Sequence, residues 1–176
     1  FMTLTTRQDA YQLLKELGAP THLLRHLQLV GEAADALMHA YTELGLSFDA
    51  AFIEIGTAIH DAGKIEHPTE LYSSGSLHEP AGEQLLLKYG VPTHIARCCV
   101  THADWRNPAL SLEERSIALA DKLWKGKRET DLELLVIDQV VSRLGCDRWD
   151  VFSQLDAAFE MIAVQGDERL QRSVDY

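Results

Sequence analysis

The sequence predicts an all-α fold. Apolar residues recur at helical spacing in segment after segment, each closed by Gly or Pro, and the strict alternation that marks a half-buried strand is missing throughout. The length of 176 residues, 46% of them hydrophobic, suits one domain with ample apolar material for a core. A single helical domain over 2–176 is expected. Phe1 stands ahead of Met2 and is set aside as an added residue.

Residues 6–17 form the first expected helix, stopped by Gly18 and Pro20. The second runs over about 21–44, with Thr21 as its N-cap, and Leu23, Leu27, Val30, Ala34, Leu37, Tyr41 and Leu44 along one stripe. A third, 49–60, buries Phe52, Ile55 and Ile59. Residues 63–77, with Gly, Pro and three serines, read as a loop long enough to carry function. Helices follow over 80–89 and 93–103, and then the loop "DWRNPAL". Ser111 and Glu114 make an S-x-x-E capping box that opens a helix reaching about 125. The last two, 131–144 and 149–170, carry ordinary apolar stripes and are expected to serve packing. No repeat, low-complexity segment or linker divides the chain.

Composition narrows the function. Sixteen Lys and Arg against 27 Asp and Glu give a formal charge of -11, which disfavours attraction to a nucleic-acid polymer or an anionic membrane. No apolar run approaches the ~18 residues needed to cross a bilayer, and no signal peptide is apparent, so a soluble, cytoplasmic protein is expected. Cys98, Cys99 and Cys146 fall in no CxxC spacing and are read as reduced thiols. A small phosphorylated substrate stays open, because a bound cation can supply locally the positive charge that the surface lacks.

His60 and Asp61 are adjacent in "AIHDAGKIEHP", where an apolar helix ends. On a continuing helix their side chains would diverge by about 100°, but at a helix end the backbone can turn both toward one point. Gly63 supports such a turn through backbone angles closed to other residues. Imidazole beside carboxylate is a donor set suited to Fe, Mn, Zn, Co or Ni rather than Ca. A solvated helix end is the plainer reading of the pair.

Other donors keep it company. Helical projection puts His26 about 60° from the centre of the second helix's apolar stripe, with His22 more peripheral and His39 nearly opposite. His102 shares a face with Ile95, Cys98 and Cys99, and Asp121 shares one with Ile117 and Trp124, where an acid is costly unless paired. Each has an alternative: a hydrogen-bonded core histidine for His26, a salt bridge to Arg or Lys for Asp121, a small buried hydrophobe for Cys98. His78 follows the serine-rich loop, and Gly82 stands where a second zincin histidine would be. Walker A, GxGxxG and GxSxG signatures are missing, which leaves metal chemistry.

In order, His26, His60-Asp61, His78, His102 and Asp121 resemble the H...HD...H...H...D pattern of the HD-domain superfamily of metal-dependent phosphohydrolases. "HDAGK" is similar to its HD-x-G-K motif, and "LHEPAGEQLLLKYGV", "THADWR" and "ERSIALADK" resemble segments of the bacterial HD-type diadenosine tetraphosphate hydrolases. The match covers about 21–128, with packing helices over about 131–170.

That resemblance implies a helical bundle around a buried metal centre holding two divalent ions, iron first, with Mn, Co, Ni or Zn as alternatives. His26, His60, Asp61 and Asp121 would hold one ion, and Asp61 would bridge to a second held by His78 and His102. The implied activity is hydrolysis of a phosphate ester or anhydride of a nucleotide-like substrate. Asp61 and Lys64 are the expected catalytic residues, and Lys64, Arg106 and Lys122 the expected substrate contacts; Lys125, Lys127 and Arg128 are further candidates for distal phosphates, with a solvated charged face as their plainer reading. The superfamily also contains mixed-valent di-iron oxygenases with the same ligands, and non-catalytic nucleotide-binding modules, which tend to lose ligands. A homodimer is compatible with the pattern. Two departures concern the substrate: Ala103 stands where some subfamilies have a second histidine, and "KLWKGKR" is unusually basic.

Overall fold

The computed structural model describes residues 3–174; Phe1, Met2 and residues 175–176 of the expected span lie outside the described residues. Among the described residues there is no strand, and the helices are α1 (Arg7–Glu16), α2 (Thr21–Glu43), α3 (Ala50–Ile59), α4 (His78–Lys88), α5 (Thr93–Ala96), α6 (Cys98–Thr101), α7 (Leu112–Leu123), α8 (Thr130–Leu144), α9 (Arg148–Val164) and α10 (Gly166–Val174). Two 3-10 turns, Ala62–Ile65 and Pro68–Leu71, sit inside the stretch expected to be an open loop. No helix among the described residues is long and apolar enough to cross a membrane.

Local chemistry explains the boundaries. Thr6 and Asp9 close a reciprocal capping box on α1, Ser111 and Glu114 do the same on α7, and the Asp49 carboxylate accepts from the backbone of Phe52 at the start of α3. Thr21 is not the N-cap of α2. Pro20, extended at φ -68° and ψ 155°, takes that place without a side-chain bond, and Thr21 is already helical. The segment after Pro92 is two short helices meeting at Arg97 rather than one.

The long C-terminal helix is also two helices. A Cβ on Gly166 would stand 2.5 Å from the Cα of Gly126 and 2.6 Å from the carbonyl carbon of Lys125, so the chain bends where two backbones touch. Arg169 stabilises the break: its buried guanidinium donates to the carbonyls of Ile162 (2.8 Å) and Trp124 (3.3 Å), satisfying the ends of α9 and α7 together.

Helix α2 is the spine, packing on α3, α7 and α9, while α4 lies across the 3-10 turn after α3. One apolar cluster joins the second half of α2 to α7, α8 and α9 through Leu37, Tyr41, Leu119, Val136 and Phe159. A second joins the first half of α2 to α1, α3 and the α4–α6 region through Leu13, Leu27, Ile59 and Leu86. Phe52, expected in the core, is half-buried and stacks on His94, and Ile53 fills the interior instead.

Candidate metal centre

Helix α3 ends where the centre begins. His60 is its C-cap, still near-helical at φ -60° and ψ -26°, whereas Asp61 leaves the helix at φ -105° and ψ 21°. The backbone turn between them lets both side chains face one point. Gly63 does not use the conformational freedom expected of it, since its φ is not positive. Its requirement is space: an added Cβ would lie 2.6 Å from the carbonyl carbon of His78 and 2.7 Å from the nitrogen of Gly82. Bare backbone at Gly63 and Gly82 thus lets α4 lie against the turn and carries His78 to Asp61.

Around Asp61 the remaining donors converge. Its Oδ2 lies 2.8 Å from His26 Nε2 and 3.3 Å from His60 Nε2, and its Oδ1 lies 3.3 Å from His78 Nε2 and 3.6 Å from His102 Nε2. Asp121, from α7, is 3.2 Å from His60 Nε2. The ligand atoms of His26, His60, Asp61 and Asp121 fall within 4.8 Å of one another, as do those of Asp61, His78 and His102. The two groups share Asp61.

Three of the four imidazoles are oriented from behind. His60 Nδ1 donates to the Thr57 carbonyl (2.7 Å) and His102 Nδ1 to the Cys98 carbonyl (3.0 Å), each an acceptor one turn back near a helix end. His78 Nδ1 donates to Glu70 Oε1 (2.6 Å). With Nδ1 anchored, each ring presents Nε2 inward as a potential lone-pair donor. Cys98 joins neither group; it is fully buried, and Cys99 contributes a weak contact to the Ile59 carbonyl at 3.4 Å.

Charge in the centre is balanced in a telling way. Burial works against a charged His60, but Asp61 and Asp121 outweigh it and hold its pKa up at about 10. Asp61 falls well below the carboxylate range although burial alone would raise it, because His60 and hydrogen bonds from His26 and His78 reverse the effect. Asp121 is lowered against its own burial by His60, and His78 is raised against its burial by Asp61 and Glu70. His102 is lowered by burial and by the neighbouring positive His60. The buried Asp61 and the half-buried Asp121 therefore require positive charge, and imidazole protons meet the need. A divalent cation bound through the same Nε2 atoms would meet it equally, so the donor set fits a metal.

The centre opens into a cavity of about 480 Å³. His26, Asp61, His78, His102 and Asp121 line it, while His60, fully buried, lies behind. Lys64 also lines it, with Nζ 3.2 Å from Asp61 Oδ2, and so do Lys122 and Lys125. Arg106, expected at the substrate, is not among the lining residues. Its guanidinium lies over the Trp105 ring at 4.3 Å and pairs with Asp131 at 3.0 Å, because the turn after α6 carries it away along the surface. The expected charged face also divides: Lys125 reaches the cavity, Lys127 is exposed, and Arg128 is locked by Glu133, Asp156 and Glu160.

Sequence reasoning passed over Glu70 and Glu79. Besides holding His78, Glu70 accepts from the backbone nitrogens of Leu77 (3.3 Å) and His78 (3.2 Å), capping an α4 whose own first residues offer no side-chain cap. Glu79 Oε2 is buried 3.3 Å from His78 Nδ1 without a hydrogen bond of its own. The signal for Glu70 was slight: one acid eight residues before a histidine, in a loop that carries no periodicity.

A family model described as HD domain matches residues 21–125, a span that contains all six converging donors. No curated protein and no solved structure matches the chain.

Proposed function

The chain belongs to the HD domain family, and from that premise we propose that it is a metal-dependent phosphohydrolase that cleaves a phosphate ester or anhydride of a nucleotide-like substrate. The observation that carries the reading is the pair of donor groups sharing Asp61 beneath a lysine-bearing cavity. In this reading His26, His60, Asp61 and Asp121 hold one divalent cation, and His78 and His102, with Asp61, hold a second. When bound, such a pair supplies an acidified water as nucleophile and polarises a phosphoryl oxygen. Iron is the first candidate, with Mn, Co, Ni or Zn as alternatives.

The chain's own side chains do the rest. Nδ1 bonds to Thr57, Cys98 and Glu70 keep three rings from rotating, so the nitrogens do not have to reorganise for each turnover. Lys64, held against Asp61, offsets negative charge that builds on a phosphoryl group. Lys122 and Lys125 offer charge to more distal phosphates on a protein that is otherwise strongly acidic.

Chelator-treated protein reloaded singly with Fe, Mn, Co, Ni or Zn tests the reading through phosphate release from mononucleotides and dinucleoside polyphosphates. Metal-dependent release that is lost in Asp61→Ala, with folding retained, supports it. Oxygen-dependent turnover without phosphate release would replace it with the oxygenase chemistry that the same ligands permit.

A further inference from the structure

Tyr72 is 77% exposed, an unusual placement for a large aromatic, yet it lines the cavity that holds the candidate metal centre. It sits just after the second 3-10 turn, so its backbone belongs to a short ordered element. Its ring is also supported. The His22 imidazole, from the first turn of α2, stacks on it with centroids 5.3 Å apart and planes 23° from parallel. His22 does not line that cavity and Tyr72 does, so the imidazole backs the ring from outside. A nearly parallel ring pair at the edge of a cavity that Lys64, Lys122, Asp61 and Asp121 also line is a surface suited to a flat ring carrying phosphate.

We propose that Tyr72, steadied by His22, is the base-stacking residue of the site, receiving the nucleobase of a nucleotide whose phosphate is directed at the metal centre. The proposal deepens the phosphohydrolase reading and rests on it for the position of the phosphate. Base stacking on an aromatic side chain tolerates any base, because every base has a π face. The site is therefore expected to select nucleotides over ring-free phosphates without strongly preferring one base. His22 contributes by limiting the orientations of the phenol ring, a positioning role.

Equilibrium binding to the metal-loaded protein tests this without depending on turnover. The probes are adenosine 5′-monophosphate and ribose 5-phosphate, which share the phosphate and sugar and differ in the base. For Tyr72→Ala the Kd for adenosine 5′-monophosphate is expected to rise at least about fivefold, in keeping with the usual strength of base stacking. Tyr72→Phe should stay close to wild type, and ribose 5-phosphate should bind all three proteins alike. An unchanged Kd for adenosine 5′-monophosphate in Tyr72→Ala overturns the proposal, and so does an equal loss for both probes, which would mark Tyr72 as a structural part of the loop. Absence of hydrolysis together with the expected binding pattern would count against the phosphohydrolase reading and leave the stacking assignment standing.

Discussion

Gly63→Ala is a severe and local test of how the centre is assembled. The new Cβ would sit 2.6 Å from the carbonyl carbon of His78 and 2.7 Å from the nitrogen of Gly82, whereas ordinary contact begins at 3.4 Å. The His78 carbonyl oxygen would be closer still, and all three neighbours are backbone that cannot rotate away, so the turn and α4 must part by more than about 1 Å. Asp61 stands on one side of that contact and His78 on the other, their facing atoms 3.3 Å apart. A metal ion tolerates ligand displacements of only about 0.2 Å. Overpacking of this kind costs about 1–3 kcal/mol of stability, and under the proposed function the larger effect falls on the cation position that would use His78. Isothermal titration with Mn(II), alongside urea denaturation, is expected to show a folded but less stable protein whose His78–His102 position binds at least about tenfold more weakly. The position made by His26, His60 and Asp121 should lose much less. Wild-type affinity at both positions in a folded Gly63→Ala protein would refute the claim that bare backbone contact sets the spacing of the two donor groups.

Other perturbations separate further parts of the account. Glu70→Ala removes the acceptor behind His78 Nδ1, and about 10–100-fold weaker binding is expected at the His78–His102 position alone; equal affinity at that position would contradict the orienting role. Away from the centre, Arg143 donates twice to Glu113, at 2.9 and 2.7 Å, and lowers the Glu113 pKa although burial works the other way. Because the folded value is depressed, this stabilisation is complete above the ordinary value of 4.5 and is lost as the pH falls through the folded value. Arg143→Gln is therefore expected to lower stability by about 1 kcal/mol at pH 7. The gap in Tm between the two proteins should close in acid, and a gap that widens there would contradict the assignment.

Much of this was legible in the sequence, for identifiable reasons. Helical period, Gly and Pro punctuation and the S-x-x-E box are local properties, so the helices of the first two thirds, apart from the break at Arg97, emerge within a few residues of their observed ends. His26 and Asp121 could be singled out because a polar group on an apolar stripe is costly, and cost shows in one dimension. What could not be read depends on distant chain segments. The split between α9 and α10 comes from Gly126 and Gly166 touching backbone to backbone, some forty positions apart. Gly63 stands out in the sequence as a flexible residue, but what it supplies is space, a need imposed by Gly82 and His78 rather than by its own torsion angles. Nearness to His102 in sequence points Arg106 toward the substrate, while in the fold Trp105 and Asp131 hold it outside the cavity lining. Glu70 lies in a loop without periodicity and gains its meaning only when α4 folds back to present His78.

The proposed function requires two cation positions that share one carboxylate. Metal content of protein reconstituted with Mn(II) and freed of excess tests it most directly, read by elemental analysis for the wild type, Asp121→Ala and Asp61→Ala. Two equivalents per chain are expected in the wild type, one in Asp121→Ala, and none retained in Asp61→Ala, with all three proteins folded. Wild-type protein that retains no metal, or an Asp61→Ala protein that still retains two equivalents, would contradict it.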